Sequence, residues 1–301
     1  MGLLKNIFFF ISASFLLLSC DDTPKAPDST GKGVIDISVD ETFQPVMEDQ
    51  LKVFDSSFPE AKVNIHYKSE AECFKDYFDN KARLILVTRA LTNEEKEVCQ
   101  QKKIYPTALP LARDAIAVIL NNSSADTILD INIIKGILTG NYKKKYTVVF
   151  DNQASSTVRY ITDSVLKGEK LGANVFAAKG NKDVVDYVMK NPDAIGFVGL
   201  GFVSDNNDPN NTGAFIKSVK VAAIKNEATG EFLQPYQAYI ALRSYPLTRT
   251  LYYINSESYS GLGTGFANFL SNQRGQLIFF HDHFFPVRSE MVIRDAAVNN
   301  K

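Results

Sequence analysis

Residues 151–159 read Asp-Asn-Gln-Ala-Ser-Ser-Thr-Val-Arg. They gather side-chain amides, three hydroxyls and one guanidinium in a short span. The apolar run Tyr146–Phe150 precedes them and a helical pattern follows, which predicts a strand, a polar loop and a first helical turn near Ser155. Such a turn carries unpaired N–H groups and a partial positive charge, so it suits an oxyanion. Ser155, Ser156 and Thr157 add hydroxyl donors, and Arg159 adds a planar fork that matches two oxygens of one anion. The competing readings are plain helix capping for the hydroxyls and a surface ion pair for the arginine.

Other chemistry is thinly represented. The pair His281 and His283 flanks Asp282, but no third and fourth ligand is apparent nearby, so no metal site and no cofactor are expected. The chain has no G-x-S-x-G elbow, no H-E-x-x-H and no phosphate loop of the G-x-x-x-x-G-K-[ST] type. A hydrolase would lack a nucleophile with a visible base, so no enzyme is expected. The formal net charge is -1, which gives no global field for nucleic acid. Anion attraction must therefore be local. Hydrophobic residues make up 45% of the 301, enough for a packed core of one large domain or two lobes.

The elements that must position these groups alternate. Val34–Val39 reads as a strand, and Glu41–Phe58 as an amphipathic helix ended by Pro59. Val63–Tyr67 is the next strand, and Ser69 caps a helix carrying Cys73, Phe74, Tyr77 and Phe78. Arg83–Val87 is a continuous apolar strand, and Thr92-Asn93-Glu94-Glu95 is a capping box. Ala115–Leu120, Tyr146–Phe150 and the run ending in Val198 are further strands; Ile131–Leu138, the segment from Ser155 and Asp183–Met189 are helices. Asn206–Thr212 is an Asn-rich loop, Ile240–Leu242 leads back toward the first half, and Gly265–Phe280 forms a C-terminal helix. Strands alternating with helices predict an α/β fold with parallel pairing.

The N-terminus reads as an export signal. Lys5 precedes the apolar run Ile7–Leu18, which is too short for an ordinary membrane span. Its end, Leu17-Leu18-Ser19-Cys20, resembles a bacterial lipobox, which implies lipidation at Cys20. Residues 21–32 are rich in Pro, Asp, Ser, Thr and Gly and read as a flexible tether. Cys73 and Cys99 remain, either as a disulfide or as two separate buried thiols.

Four segments, in order, resemble the phosphate-type periplasmic substrate-binding proteins of ABC transporters. Gln153–Thr157 stands where that family has a Gly-Ser-Gly-Thr anion loop. Asn191-Pro192-Asp193-Ala194-Ile195-Gly196-Phe197-Val198 is similar to its N-P-G-A-I-G-Y-V motif. Ala112–Val118 resembles its hinge strand, and Tyr245-Pro246-Leu247-Thr248-Arg249 its returning Y-P-L-x-R segment. The resemblance implies a type 2 periplasmic-binding fold: two lobes, each a mixed sheet flanked by helices, joined by a two-strand hinge. Lobe 1 would take residues 33–115 with 240–301, and lobe 2 residues 116–239. It also implies ligand positions at Thr42 and Phe43 after the first strand, and at Thr88 and Arg89 after the third.

Arg89 stands where the family carries an acid, and an arginine accepts no hydrogen bond. The implied function is a lipid-anchored, monomeric, extracytoplasmic protein that captures phosphate or a similar oxyanion for an ABC permease. It would reach the membrane through its lipid only and bind no nucleic acid. Sulfate or another oxyanion as ligand, and a sensor or surface interaction role without transport, are the alternatives.

Overall fold

The computed structural model describes residues 27–206 and 214–288. The signal segment with Cys20 and most of the Asn-rich loop lie outside the described residues.

Short apolar runs become strands and capped amphipathic runs become helices, in strict alternation at first. Strand β1 (Gly33–Asp40) enters a single 3-10 turn, Glu41–Phe43, and helix α1 (Gln44–Ser57). Strand β2 (Ala61–Lys68) leads to α2 (Glu70–Phe78), where Ser69 and Glu72 form a reciprocal capping box. Strand β3 (Leu84–Val87) and α3 (Asn93–Gln101), boxed by Thr92 and Glu95, follow. The long strand β4 (Thr107–Leu120) comes next. Then come β5 (Ile128–Leu129), α4 (Ile131–Leu138) and β6 (Thr147–Phe150). Helix α5 (Ser156–Ile161) opens at the N-cap Ser155 and runs on through a π-type turn, Thr162–Leu166. Strand β7 (Val175–Ala177), α6 (Asn181–Lys190) and β8 (Ala194–Gly199) complete this stretch. The last elements are β9 (Lys220–Val221), β10 (Ala223–Lys225), β11 (Phe232–Leu233) and α7 (Gln237–Ala241). They are followed by β12 (Thr248–Asn255), α8 (Leu262–Ser271), α9 (Gln273–His281) and β13 (Phe285–Pro286).

One mixed sheet runs in the order β2-β1-β3-β12-β4-β8-β6-β7, with β9 and β13 also on β4. The α/β class read from the sequence is the one the chain adopts. Strand β4 serves two halves of this sheet. Its Ala115 pairs with Thr248 on β12, and its next residue, Ile116, pairs with Gly199 on β8. Buried side chains divide the same way. Ile116–Leu120, Val148–Phe150 and Phe197 share one cluster, while Ile35, Ile37, Phe54, Leu251, Phe266 and Phe279 share another. A third cluster, with Phe74, Ile85, Val87 and Ile254, lies on the opposite face of β3 and β12 from the second. A polar seam is left where the halves meet.

Several expectations change in detail. Strand β4 begins at Thr107, well before Ala115, because Pro110 and the charged pair Arg113-Asp114 mask its pattern. Pro110 is accommodated at a register shift opposite Leu251 and Tyr252. The C-terminal helix is two helices broken at Asn272, whose backbone is extended. There the buried Gln276 amide donates to Leu270 O at 2.8 Å and Leu111 O at 3.1 Å, taking over a freed helix-end carbonyl. Ile240 and Ala241, expected to lead back toward the first half, belong to helix α7. Cys73 and Cys99 are free and buried.

The expected tether is pinned to the fold at Asp28, which is buried. The Asp28 carboxylate accepts from Leu262 N at 2.9 Å at the start of α8 and pairs with Arg83. Gly265 lies so close to this segment that a Cβ there would meet Thr30 O at 1.9 Å. Gly265→Ala is therefore expected to lower stability by about 1–3 kcal/mol, read as a drop in urea midpoint with unchanged slope.

Candidate functional site

The seam forms where strand ends from both halves converge, the usual place for a ligand crevice in α/β folds. From the first half come Asp40 and Thr42 at the end of β1, Glu70 opening α2, and Thr88 at the end of β3. From the second come Asp151 after β6, Ser155–Arg159 at the start of α5, Asn181 at the start of α6, and Gly199 ending β8. Arg249, on β12, joins them.

Arg249 organises the centre. It is 4% exposed. Its Nε donates to Asp114 Oδ2 at 2.8 Å, and its Nη1 to Ser156 Oγ at 2.9 Å and Thr157 Oγ1 at 3.4 Å. The guanidinium also lies 5.3 Å from the Phe43 ring centroid. Arg249 and Asp114 are register partners on β12 and β4, so the pair bolts the shared strand. Arg113 points to the opposite face, as strand geometry demands, and donates to Ala241 O beside Phe285. The two neighbours Arg113 and Asp114 thus do not pair with each other.

Thr42 is fully buried, and its N–H and hydroxyl both donate to Asp40 Oδ1, at 3.0 and 2.8 Å. Gly199 presses on it from the other half, where a Cβ would meet Thr42 O at 2.9 Å. The Gly199 N–H donates to Asn181 Oδ1 at 2.9 Å, and the Asn181 amide to Asp151 Oδ2 at 3.1 Å. Ser155 caps α5 by accepting from Val158 N at 3.1 Å. Asn152 donates across the seam to Glu41.

Arg159 also crosses the seam. Its Nε donates to Glu70 Oε2 and its Nη2 to Thr88 Oγ1 at 2.7 Å. The Glu70 carboxylate further accepts Thr88 N–H at 2.8 Å and the Thr88 hydroxyl at 2.6 Å. A cleft of about 360 Å³ opens beside these groups, lined by Glu70, Phe74, Arg89, Gln153, Ser155 and Arg159.

The structure thus brings together Thr42, Phe43, Thr88, Ser155, Ser156, Thr157 and Arg159. Arg89 is set apart at the cleft mouth. It forks onto Glu95 at 2.7 and 2.8 Å and stacks on Phe74 at 3.7 Å. Sequence reasoning missed Asp40, Glu70, Asp151, Asn181 and Arg249 as seam residues. The one available signal was a lone acid and a lone base in two apolar strands, Asp114 and Arg249. Among the described residues, no group of three or more His, Cys, Asp or Glu side chains could hold a metal ion.

Charge is unevenly matched here. Burial pushes the Asp40 carboxyl up to about 6; Arg249 opposes this and Glu70 adds to it. Burial also raises Asp114 and Asp151, and lifts Glu41 to about 7 with help from Asp151 and Asp40. Burial would raise Glu70 as well, but the hydrogen bonds from Arg159 and Thr88 outweigh it and hold it below the usual range. Burial works against the Arg249 charge, yet Asp114 and Asp40 keep the guanidinium firmly protonated.

A profile of the family described as "PBP superfamily domain" matches residues 24–273. The chain belongs to the PBP superfamily. It is 24% identical over 277 residues to the phosphate-binding protein PstS of Staphylococcus saprophyticus, covering 86% of this chain and 82% of that one. PstS of Pseudomonas aeruginosa is 24% identical over 260 residues, covering 78% and 77%. Among solved structures, a Clostridium perfringens protein with bound phosphate, named for phosphate ABC transporter substrate binding, superposes with TM-score 0.71. It is 21% identical, with 85% and 100% of the two chains covered. An ABC-type phosphate transport receptor from Vibrio cholerae gives 0.63 at 18% identity, covering 83% and 99%. These likenesses match the fold family that the four sequence segments resemble.

Two outcomes follow from the charge arrangement. Arg249→Met leaves Asp114 buried without its cation, so urea denaturation should show a loss of about 3–5 kcal/mol. Asp40 titrates higher in the folded chain (about 6) than its ordinary 3.8, so its proton stabilises fully below 3.8 and that contribution fades as pH rises toward 6. Asp40→Asn keeps the acceptor for Thr42. It should remove a decline on the order of 3 kcal/mol from the stability profile across that window, measured by urea midpoints at stepped pH.

Proposed function

We propose that the chain is a lipid-anchored, extracytoplasmic solute-binding protein that captures inorganic phosphate, or a similar small oxyanion, for an ABC importer. Its ligand is held between two lobes, residues 33–115 with 240–301 and residues 116–239, which close about the crossover on β4 and β12. It works as a monomer, performs no chemistry on the ligand and hands it to the permease. Lipidation at Cys20 keeps it at the membrane.

One observation carries the reading. An oxyanion-shaped group, the Glu70 carboxylate, already lies in a cradle of backbone N–H, hydroxyl and guanidinium donors drawn from both halves of the sheet. That donor set is what a desolvated phosphate oxygen requires. The phosphate-binding PstS relatives and the phosphate-bound Clostridium perfringens structure support the same class of ligand.

The sulfate alternative rested on Arg89, whose charge is taken by Glu95. Buried carboxyls at the seam favour an oxyanion that still carries a proton, since they can accept it, over fully ionised sulfate.

Calorimetric titration of the intact chain with inorganic phosphate tests the proposal. Arg159→Met, and Ser155→Ala combined with Ser156→Ala, should each weaken binding by at least about ten-fold, with thermal melts showing the fold retained. Unchanged affinity would remove those residues from the site, and no phosphate binding by the unaltered chain would end the phosphate reading.

A further inference from the structure

Glu70 is oddly placed for a first-turn glutamate. Its helix does not need it: Ser69 and Glu72 already satisfy the cap, through Ser69 Oγ to Glu72 Oε2 at 2.7 Å and the two reciprocal backbone bonds. A glutamate at that position ordinarily sits in solvent, stabilised by the helix dipole. This one is 3% exposed. It reaches over the end of β3 and takes the Thr88 N–H at 2.8 Å, the Thr88 hydroxyl at 2.6 Å and the Arg159 guanidinium from the opposite half. The Thr88 N–H, the Thr88 hydroxyl and the Arg159 Nε that an incoming oxyanion would meet at this point are therefore already engaged by the chain's own carboxylate.

Arg159 has a second partner. Its Nη1 lies 3.5 Å from Asp163 Oδ2, one turn along the same helical run. It can thus leave Glu70 without being stranded as a lone cation. Two discrete arrangements are available: Arg159 across the seam on Glu70 and Thr88, or Arg159 withdrawn onto its own helix. The first ties α5 to α2 and β3, and with them one half of the sheet to the other. The second removes that tie and leaves the Asn152–Glu41 bond and the Arg249 bonds to Ser156 and Thr157 between the halves.

We propose that Glu70 is a resident anion of the cleft: its carboxylate latches the two halves together without ligand, and a captured oxyanion gains Arg159 and Thr88 only by displacing it. The competition between Glu70 and ligand rests on the oxyanion reading above; the latch itself does not. The arrangement makes Glu70 a specificity-determining residue. Only an anion that pairs with the guanidinium better than a covalently tethered carboxylate does will hold the site, which favours a multiply charged oxyanion over a monocarboxylate. It also sets a threshold concentration below which the cleft stays self-occupied.

The test compares the intact chain with Glu70→Gln and Glu70→Ala by solution X-ray scattering without phosphate, and by calorimetric titration with inorganic phosphate. Gln keeps the shape and the acceptor for Thr88 while removing the charge, so it decides the matter if the Ala variant fails to fold. The expected result is a compact unaltered chain without phosphate, and variants that are measurably expanded without it and contract when it is added. Their phosphate affinity should be tighter by roughly ten-fold, the reciprocal of the latch's coupling. Variants with scattering curves identical to the unaltered chain without phosphate would overturn the latch. Expanded variants that bind phosphate no better, or worse, would overturn the competition. Expansion with no phosphate binding by any of the three proteins would uphold the latch and remove phosphate as its rival.

Discussion

The seam has more negative charge than positive, and nearly all of it is out of water. Among the described residues there, Asp40, Glu41, Glu70, Asp114 and Asp151 face two guanidiniums, Arg159 and Arg249. Buried charge without a partner is too costly to persist, so every other feature of the site follows from how this imbalance is settled. Arg249 is committed to Asp114, which lies beside it on the neighbouring strand. Glu70 is settled by Arg159 and Thr88. The remaining carboxyls have amides and hydroxyls for company, and burial raises their affinity for protons instead. These carboxyls therefore take up a proton more readily than exposed ones do.

The two arginines divide the labour by exposure. Arg249 is sealed, and its exchange of partners would require taking the strand pair apart. Arg159 is about one-third exposed and bridges α5 and α2, which belong to different hydrophobic clusters. Only the second can change partners without breaking a core. The proposed opening and closing of the cleft would use Arg249 as the fixed cation of its floor and Arg159 as the one that exchanges partners.

Much of the frame was legible in the residue pattern. The cap at Ser69, the capping box at Thr92, the apolar strands and the opening of α5 at Ser155 all rest on local rules, and local rules hold where side chains interact within a turn or two. The polar turn from Gln153 to Arg159 was legible for the same reason, whereas Thr42, Phe43 and Thr88 entered only through the resemblance. What the pattern hid was long-range. Arg249 finds Asp114 across 135 positions of chain, and Glu70 finds Arg159 across 89. Nothing in the neighbourhood of either residue announces its partner. Arg89, by contrast, has its acid Glu95 only six positions on, in the capping box of α3, yet the resemblance implied it as a ligand position. The break at Asn272 was hidden similarly, since the amide that makes it tolerable comes from Gln276 and reaches back to β4 as well as to α8.

The place of β12 in the sheet has a consequence for how the molecule is made. It sits between β3 and β4, yet it lies more than a hundred residues beyond either in sequence. A nascent chain that has emerged as far as β8 can pair β1 with β2 and β6 with β8, but a gap is left beside β3 and along the first part of β4. Apolar residues such as Leu84, Leu86 and Leu111 stay uncovered until Leu251 and Tyr253 arrive. The first half of the protein therefore cannot finish before the second half has been synthesised. An unfinished sheet with open edges invites wrong pairing, so the chain depends on late completion being rapid, or on being kept unfolded until its last strand is available.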